Sequence, residues 1–187
     1  MTSRRHFVRD SGVALGALMV PGVLRARSKR VAPSDRVRVG VIGCNGMGFE
    51  DLRSVLKIPE VECAALCDVD ASVLNRRAAR VERDTGVKPT LYADFRRLLE
   101  DPDIDAVIIG TPDHWHCLIL VMACQAGKDV YVEKPLANSI GECGVMVAAA
   151  ERYGRVVQAD RTDPSGQSVG VSGLDGAGTG QAGSAGP

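Results

Sequence analysis

Short apolar runs alternate with amphipathic stretches along most of the chain. The first run, 37–42, is rich in β-branched residues, which is typical of a strand buried on both faces. Beyond it, apolar residues recur at helical spacing, so that Phe49, Leu52 and Val55 share one side of a helix. The pattern therefore predicts a buried strand followed by a helix that packs on it.

The same alternation continues through five more strands. We predict these strands at 61–67, 90–92, 105–110, 129–133 and 155–159, and helices at 46–57, 71–86, 95–100, 114–125 and 139–153. Short turns between alternating strands and helices require right-handed crossovers and a parallel sheet with helices on both faces. The prediction is a doubly wound Rossmann sheet, an α/β fold with strand order 3-2-1-4-5-6.

The two ends of the chain have a different composition. Residues 161–187 are dominated by glycine, serine and other small residues without a period, and we predict a disordered tail there. Residues 1–33 carry Arg4 and Arg5 ahead of a short apolar run, which is the arrangement of a signal peptide. The folded domain is then expected to span residues 34–160.

The basic N-terminal segment suggests a route of export. Residues 3–9, S-R-R-H-F-V-R, resemble the twin-arginine signal, which directs proteins already folded around a cofactor across the membrane. We therefore expect the twin-arginine export machinery as a partner and a periplasmic or otherwise exported location. A basic tail that stays in the cytoplasm is the alternative interpretation.

Charge and cysteine content narrow the possible partners. The 187 residues include 23 basic and 23 acidic side chains, so no global charge favours nucleic acid. All six cysteines fall inside apolar strand or helix patterns, and we interpret them as buried free thiols. Cys63 and Cys67 with His114 and His116 match no standard ligand spacing, and we expect no metal site.

A glycine-rich turn connects the first strand to its helix. Such a turn directs backbone N–H groups and the positive end of the helix dipole at one point, which is a phosphate site. The dinucleotide-binding fingerprint is G-x-G-x-x-G, and here an asparagine stands at its middle glycine. Because asparagine tolerates a left-handed backbone, we expect the turn to be kept. The predicted cofactor-binding residues of the turn are Gly43, Asn45, Gly46, Met47 and Gly48.

Asp68 ends the second strand, about 20 residues beyond the turn, where dinucleotide-binding domains place an acid. A carboxylate there accepts hydrogen bonds from the ribose hydroxyls and repels a 2′-phosphate. We therefore predict NAD as the cofactor, while Arg76 and Arg77 on the next helix keep NADP possible. A simple turn residue at the strand end is the alternative role of Asp68.

Two further segments contain recognisable motifs. Residues 111–116, after the fourth strand, are T-P-D-H-W-H, and residues 133–137 are E-K-P-L-A. These segments resemble the T-P-x-x-x-H and E-K-P motifs of the Gfo/Idh/MocA oxidoreductases, which include glucose–fructose oxidoreductase and inositol dehydrogenase. With the glycine turn and Asp68, the resemblance covers about residues 37–158. It implies hydride transfer between NAD(P) and a hydroxyl group of a sugar or polyol.

The resemblance also implies roles for individual residues. Lys134 is the candidate catalytic residue, close to the nicotinamide, where its charge would orient a substrate hydroxyl or tune the general base. An ordinary surface lysine is the alternative. Glu133 would contact the nicotinamide ribose or hold Lys134, and a cis bond before Pro135 would direct Lys134 into the cleft. The T-P-x-x-x-H segment adds the cofactor-binding candidates Thr111, Pro112 and His116. For Trp115 we expect a place over the nicotinamide, in the core or at an interface.

Members of this family carry a second domain that binds substrate and supplies a catalytic Asp and His. The change of composition at Asp160 suggests a truncated or frame-shifted product, or a gene split in two. We therefore expect the cofactor-binding half of an exported oxidoreductase, catalytically incomplete as this chain. A non-enzymatic dinucleotide-binding module and an inactive fragment are the alternatives.

Overall fold

The structure is a computed structural model that describes residues 35–160 and 170–171. The predicted signal peptide lies outside the described residues, as does the predicted tail except for Gly170 and Val171. Within the described part, no helix combines the length and the apolar character needed to cross a membrane.

Strands and helices alternate along the described chain as the hydrophobic pattern predicts. The strands are β1 (Val37–Ile42), β2 (Val61–Cys67), β3 (Thr90–Tyr92), β4 (Ala106–Ile109), β5 (Asp129–Val132), β6 (Val157–Ala159) and β7 (Gly170–Val171). The helices are α1 (Met47–Val55), α2 (Ala71–Thr85), α3 (Phe95–Leu99), α4 (His116–Gln125) and α5 (Ile140–Tyr153).

One sheet joins all seven strands in the order β3-β2-β1-β4-β5-β6-β7. Pairing is parallel from β3 to β6, which confirms the predicted doubly wound sheet and its 3-2-1-4-5-6 order. The short β7 pairs antiparallel with β6 and was not predicted. Because β2 and β4 flank β1 on opposite sides, the chain order of the strands reverses direction at β1, and ligands bind at such a switch point.

Alternate residues of the central strands point to opposite faces of the sheet, and each face has its own core. Val39 and Val41 of β1 pack with α1 and α2, through residues such as Phe49 and Leu74. Ile42 packs with α3, α4 and α5 on the other face. Burial on both faces is the reason that these strands read as continuous apolar runs.

Polar side chains fix where three of the helices begin. The Asp70 carboxylate accepts hydrogen bonds from the backbone N–H groups of Ser72 and Val73 at the start of α2. Asp94 caps α3 and Ser139 caps α5 in the same manner. These caps satisfy N–H groups that have no partner within the helix, and they place the helix starts at the carboxyl edge of the sheet.

The fourth helix begins later than predicted. The apolar pattern places its start at residue 114, whereas α4 starts at His116 after a 3-10 turn, Asp113–Trp115. The Trp115 N–H donates to the Pro112 carbonyl at 3.0 Å, which closes this tighter turn. The extended backbone of Pro112 ends the strand segment, and hydrophobic periodicity cannot distinguish one turn of 3-10 helix from the first turn of an α-helix.

Candidate functional site

A cleft of about 590 Å³ lies at the carboxyl edge of the sheet, around the ends of β1, β2 and β4. Its volume is in the range of pockets that hold small molecules and cofactors. Five of the predicted site residues line it together: Gly43, Asn45, Asp68, Thr111 and Pro112. The structure therefore brings three separate sequence segments to one cavity.

The glycine turn has its left-handed residues at Gly43 (φ 86°) and Gly46 (φ 61°). No described residue other than glycine has a positive φ, so the expectation that Asn45 would adopt a left-handed backbone is wrong. The two positions that need this conformation are both glycines, and Asn45 occupies an ordinary one between them. The departure from the fingerprint thus places no strain on the turn.

Gly48 and Gly110 allow α1 to approach β4 closely. A Cβ on Gly48 would collide with the Gly43 carbonyl oxygen and would lie 3.0 Å from the Gly110 Cα. A Cβ on Gly110 would lie 2.5 Å from the Gly48 Cα. Sequence reasoning missed Gly110, although a glycine directly after a buried strand that pairs with β1 is a usable signal. The contact places the N-terminus of α1 against the floor of the cleft.

Asp68 holds the glycine turn in place. One of its carboxylate oxygens, Oδ2, accepts from the backbone N–H of Cys44 at 2.8 Å, and Oδ1 accepts from the N–H of Asp70 at 3.0 Å. Arg77 fixes the turn from the other side, since its Nε donates to the Cys44 carbonyl at 3.1 Å and its guanidinium lies 4.2 Å from the centre of the Phe49 ring. Arg77 is therefore engaged with the turn and is not among the residues that line the cleft.

The outer wall of the cleft is aromatic and basic. Phe95 and Trp115 meet edge to face, with ring centroids 6.3 Å apart. The Arg96 guanidinium lies over the Phe95 ring at 4.7 Å and pairs with Asp94 at 3.1 Å. Phe95 and Arg96 were missed by sequence reasoning because they follow a short strand at the edge of the sheet. The position of β3 beside β2 brings them to the cleft.

His116 lies beneath the site and does not line it. The side chain is 0% exposed, with Nδ1 2.9 Å from the Pro135 carbonyl oxygen and Nε2 2.7 Å from that of Thr111. A neutral imidazole can donate to one of these oxygens, and an imidazolium to both. His116 therefore ties the segment after β4 to the segment after β5.

Glu133 and Lys134 follow β5 at the same edge of the sheet. The bond between Lys134 and Pro135 is cis, as the resemblance implies. Lys134 has an exposed side chain, and its backbone N–H donates to Glu133 Oε2 at 3.0 Å. Glu133 is 4% exposed and so holds the backbone of Lys134 from inside the protein. We expected Glu133 either to contact the nicotinamide ribose or to hold Lys134, and the structure shows the contact with Lys134.

The cysteines form no reactive or metal-binding group in the described structure. All six are free thiols, but only four are buried as predicted, since Cys117 and Cys143 are half-buried. Burial raises the pKa of Cys44, Cys63 and Cys67 to about 12, so these thiols stay protonated at neutral pH. Among the described residues, no group of three or more His, Cys, Asp or Glu side chains has an arrangement suited to a metal ion.

The cleft residues fit a dinucleotide. The turn after β1 leaves no room for side chains at Gly43 and Gly48, so backbone N–H groups can approach a phosphate directly. Asp68 offers carboxylate oxygens at the end of β2, the strand directly beside β1, at the position of a ribose. The Thr111 hydroxyl is a buried polar group without a hydrogen-bond partner among the described residues, and it lines the same cleft. Fold and site together define a dinucleotide-binding α/β domain.

Comparison with known families identifies the domain further. The chain belongs to the Gfo/Idh/MocA oxidoreductase family with an NAD-binding Rossmann fold, whose family model matches residues 37–161. The match confirms the resemblance seen in the T-P-x-x-x-H and E-K-P segments.

Curated relatives include glycosyl hydrolase family 109 protein 1 of Shewanella sp. (strain ANA-3), which is 33% identical over 169 residues. An alpha-N-acetylgalactosaminidase of Shewanella oneidensis is 32% identical over the same length. Each alignment covers 80% of this chain and 37% of the relative. The chain thus spans little more than a third of the length of these relatives.

Solved structures of other proteins contain a domain with a similar fold. An NAD binding oxidoreductase from Klebsiella pneumoniae superposes with a TM-score of 0.58 at 33% identity, covering 67% of this chain and 34% of that one. KijD10, a 3-ketoreductase from Actinomadura kijaniata in complex with NADP and TDP-benzene, has a TM-score of 0.58 at 28% identity, covering 67% and 37%.

Proposed function

We propose that this domain is the cofactor-binding half of an oxidoreductase that acts on hydroxyl groups of sugars or polyols, with NAD as its preferred cofactor. The observation that carries the proposal is the cleft at the switch point of the sheet, with the glycine turn and Asp68 on its wall. Relatives named for glycoside hydrolysis and ketone reduction support a carbohydrate-like substrate.

Each part of the site has a separate task in this proposal. The backbone N–H groups of the turn and the N-terminus of α1 bind the pyrophosphate, and Asp68 accepts from the ribose hydroxyls. The Thr111 hydroxyl donates to the bound dinucleotide, and Lys134 polarises the substrate oxygen through its ammonium group. When bound, the nicotinamide supplies the hydride acceptor. Proton abstraction from the substrate is assigned to an Asp and a His outside residues 35–160, as the family resemblance implies.

Preference for NAD follows from the charges at the ribose position. Asp68 repels a 2′-phosphate, and Arg77, which could attract one, is held by the Cys44 carbonyl and the Phe49 ring. Arg96 lines the cleft but is paired with Asp94. The cleft therefore offers a 2′-phosphate a carboxylate and no unpaired arginine among the described lining residues.

A second candidate function is glycoside hydrolysis through transient oxidation of the sugar. The names of the curated relatives favour it, and NAD-dependent glycosidases show that a hydrolase can use this cofactor without net redox change. Both functions use the same cofactor cleft, so they differ in product rather than in the fold of this domain.

Cofactor titration of the full chain, followed by the fluorescence of Trp115 at the cleft, tests the proposal. We expect saturable binding of NAD, with weaker binding of NADP. The saturated protein is then incubated with a panel of sugars and with a nitrophenyl N-acetylgalactosaminide. Accumulation of reduced nicotinamide identifies an oxidoreductase, release of nitrophenol identifies a hydrolase, and binding without either supports a binding module. Absence of binding by both cofactors would overturn the proposal.

We also propose that Arg4 and Arg5 direct export through the twin-arginine machinery. The support is the match of residues 3–9 to that signal, since these residues lie outside the described structure. Replacement of both arginines by lysine should retain the protein in the cytoplasm in cell fractionation, whereas Arg25→Lys, beyond the motif, should leave export unchanged. Export that is insensitive to the double replacement would contradict this assignment.

A further inference from the structure

A buried and a half-buried carboxyl group lie beside the Lys134 segment. The buried group is Glu133, which follows β5, and its neighbour is Asp51 on α1. Glu133 Oε2 accepts from the Lys134 N–H, but Glu133 Oε1 and Asp51 Oδ2 are both buried and have no donor among the described residues. Glu133 is 4% exposed, so its unpaired oxygen is enclosed by the protein. Such groups are costly unless something supplies a hydrogen bond.

The surroundings of this pair are acidic. Asp160 after β6 and Glu50 on α1 both face Asp51 with negative charge, and no described arginine or lysine forms an ion pair with Asp51 or Glu133. Tyr131 of β5 is the remaining titratable neighbour. Burial, and then the nearby acids Asp51, Asp160 and Glu133, raise the pKa of Tyr131, so that it stays neutral. Within residues 35–160, no cation therefore compensates the two carboxylates by an ion pair.

A proton shared between the two carboxyl groups can satisfy both unpaired oxygens, whereas a cation from outside cannot. Each unpaired oxygen exposes less than 1 Å² to solvent, so an ammonium, guanidinium or metal ion cannot reach both of them. A proton on one carboxyl group donates to the other and satisfies both oxygens at once. Burial and the adjacent Glu133 raise the pKa of Asp51 to about 7.

We propose that Asp51 is a positioning residue for the E-K-P segment: it shares one proton with Glu133, and Glu133 in turn fixes the backbone of Lys134. The chain of interactions runs from Asp51 to the carboxyl group of Glu133, whose Oε2 accepts from the Lys134 N–H. The functional value of this positioning rests on the role of Lys134 in the proposed function. The shared proton itself depends only on the two carboxyl groups.

The stabilisation from the shared proton depends on pH and decreases as the pH rises. Asp in an unfolded chain titrates near 3.8, whereas Asp51 in the folded protein holds its proton to about pH 7. The stabilisation from this proton is therefore complete below pH 3.8 and is lost as the pH rises to about 7. Above that pH two adjacent carboxylates repel each other, and Glu133 is no longer held toward the Lys134 N–H.

Amide NMR spectra of the full chain over a pH series test the inference. In the wild type, we expect the Lys134 amide resonance to titrate with a midpoint near pH 7, which is the pKa of Asp51. In Asp51→Asn, the carboxamide can donate to Glu133 at any pH, so the Lys134 amide should show no transition near pH 7. The control Glu60→Gln removes an exposed acid just before the amino end of β2, whereas Glu133 follows the carboxyl end of β5, and this variant should titrate like the wild type.

Two results would overturn the inference: a Lys134 amide that is constant through neutral pH in the wild type, or an unchanged transition in Asp51→Asn. If that variant fails to fold, carbon-13 spectra of the wild-type carboxyl groups decide, because two ordinary carboxyl titrations near pH 4 contradict a shared proton. Titrating the same samples with NAD separates the two proposals. A Lys134 transition without NAD binding supports the shared proton and contradicts the proposed function. NAD binding without the Lys134 transition supports the proposed function and contradicts the shared proton.

Discussion

Gly48→Ala should abolish cofactor binding and lower the free energy of unfolding by about 3 kcal/mol, at the upper end of the usual cost of overpacking. The added methyl group would collide with the carbonyl oxygen of Gly43 and lie 3.0 Å from the Gly110 Cα. Both neighbours are backbone, so no flexible side chain can move aside. The helix α1 must shift away from β4, and the N–H groups that face the phosphate site shift with it.

Gly144→Ala is the matched control for this substitution. Gly144 lies inside α5, and a Cβ there would meet no atom within 4 Å. Alanine has the higher helix propensity, so this variant should be more stable by about 0.5–1 kcal/mol and should bind cofactor normally. Urea unfolding and isothermal titration calorimetry measure both quantities. Wild-type affinity in Gly48→Ala would contradict the assignment of the turn as the phosphate site.

Asp68→Asn should weaken NAD binding by about 10- to 100-fold, the equivalent of hydrogen bonds to a charged group. The amide oxygen can still accept from the Cys44 N–H, so the turn should remain folded. The variant loses the negative charge that accepts from two ribose hydroxyls and repels a 2′-phosphate. The difference in affinity between NAD and NADP should therefore shrink.

The control for Asp68 lies two residues further along the same edge. Asp70 caps α2 and does not line the cleft, and asparagine is an equally good cap. Asp70→Asn should therefore retain wild-type stability and affinity for both cofactors. The ribose assignment would be wrong if calorimetry showed equal losses in the two variants, or none in Asp68→Asn.

The sheet could be predicted from the sequence because its strands are buried on both faces. Continuous apolar runs such as 106–109, separated by single amphipathic helices, require right-handed connections and so favour the strand order that the structure has. The start of α4 and the strand β7 were missed for a local reason. A 3-10 turn at Asp113–Trp115 has nearly helical periodicity, and Gly170–Val171 is too short to carry a pattern.

The site residues that directly follow strand ends could be predicted from the sequence. The turn residues and Asp68 follow directly from strand ends, and they meet at the cleft. We expected a left-handed backbone at Asn45 because this residue stands at the middle glycine of the fingerprint. In the structure, Gly43 and Gly46 have that conformation. Nothing in the spacing shows which residue of such a turn takes a positive φ.

Tertiary contacts determine the rest of the site, and no local pattern encodes them. His116 contacts the carbonyl of Pro135, 19 residues away, and is buried there rather than exposed to a ligand. Asp51 on α1 belongs to no motif of the sequence, yet it lies beside Glu133 of another element. Both residues act on the segments around the cleft rather than in it, so their roles depend on how the helices pack on the sheet.

The central claim is that the cleft around the glycine turn, Asp68 and Thr111 binds a dinucleotide. Amide NMR mapping of the full chain during titration with NAD tests this claim most directly. We predict saturable shifts concentrated in the amides of residues 43–48, of Asp68 and of residues 110–111, at the ends of β1, β2 and β4. Shifts confined to other regions, or no saturable shifts at all, would contradict the account.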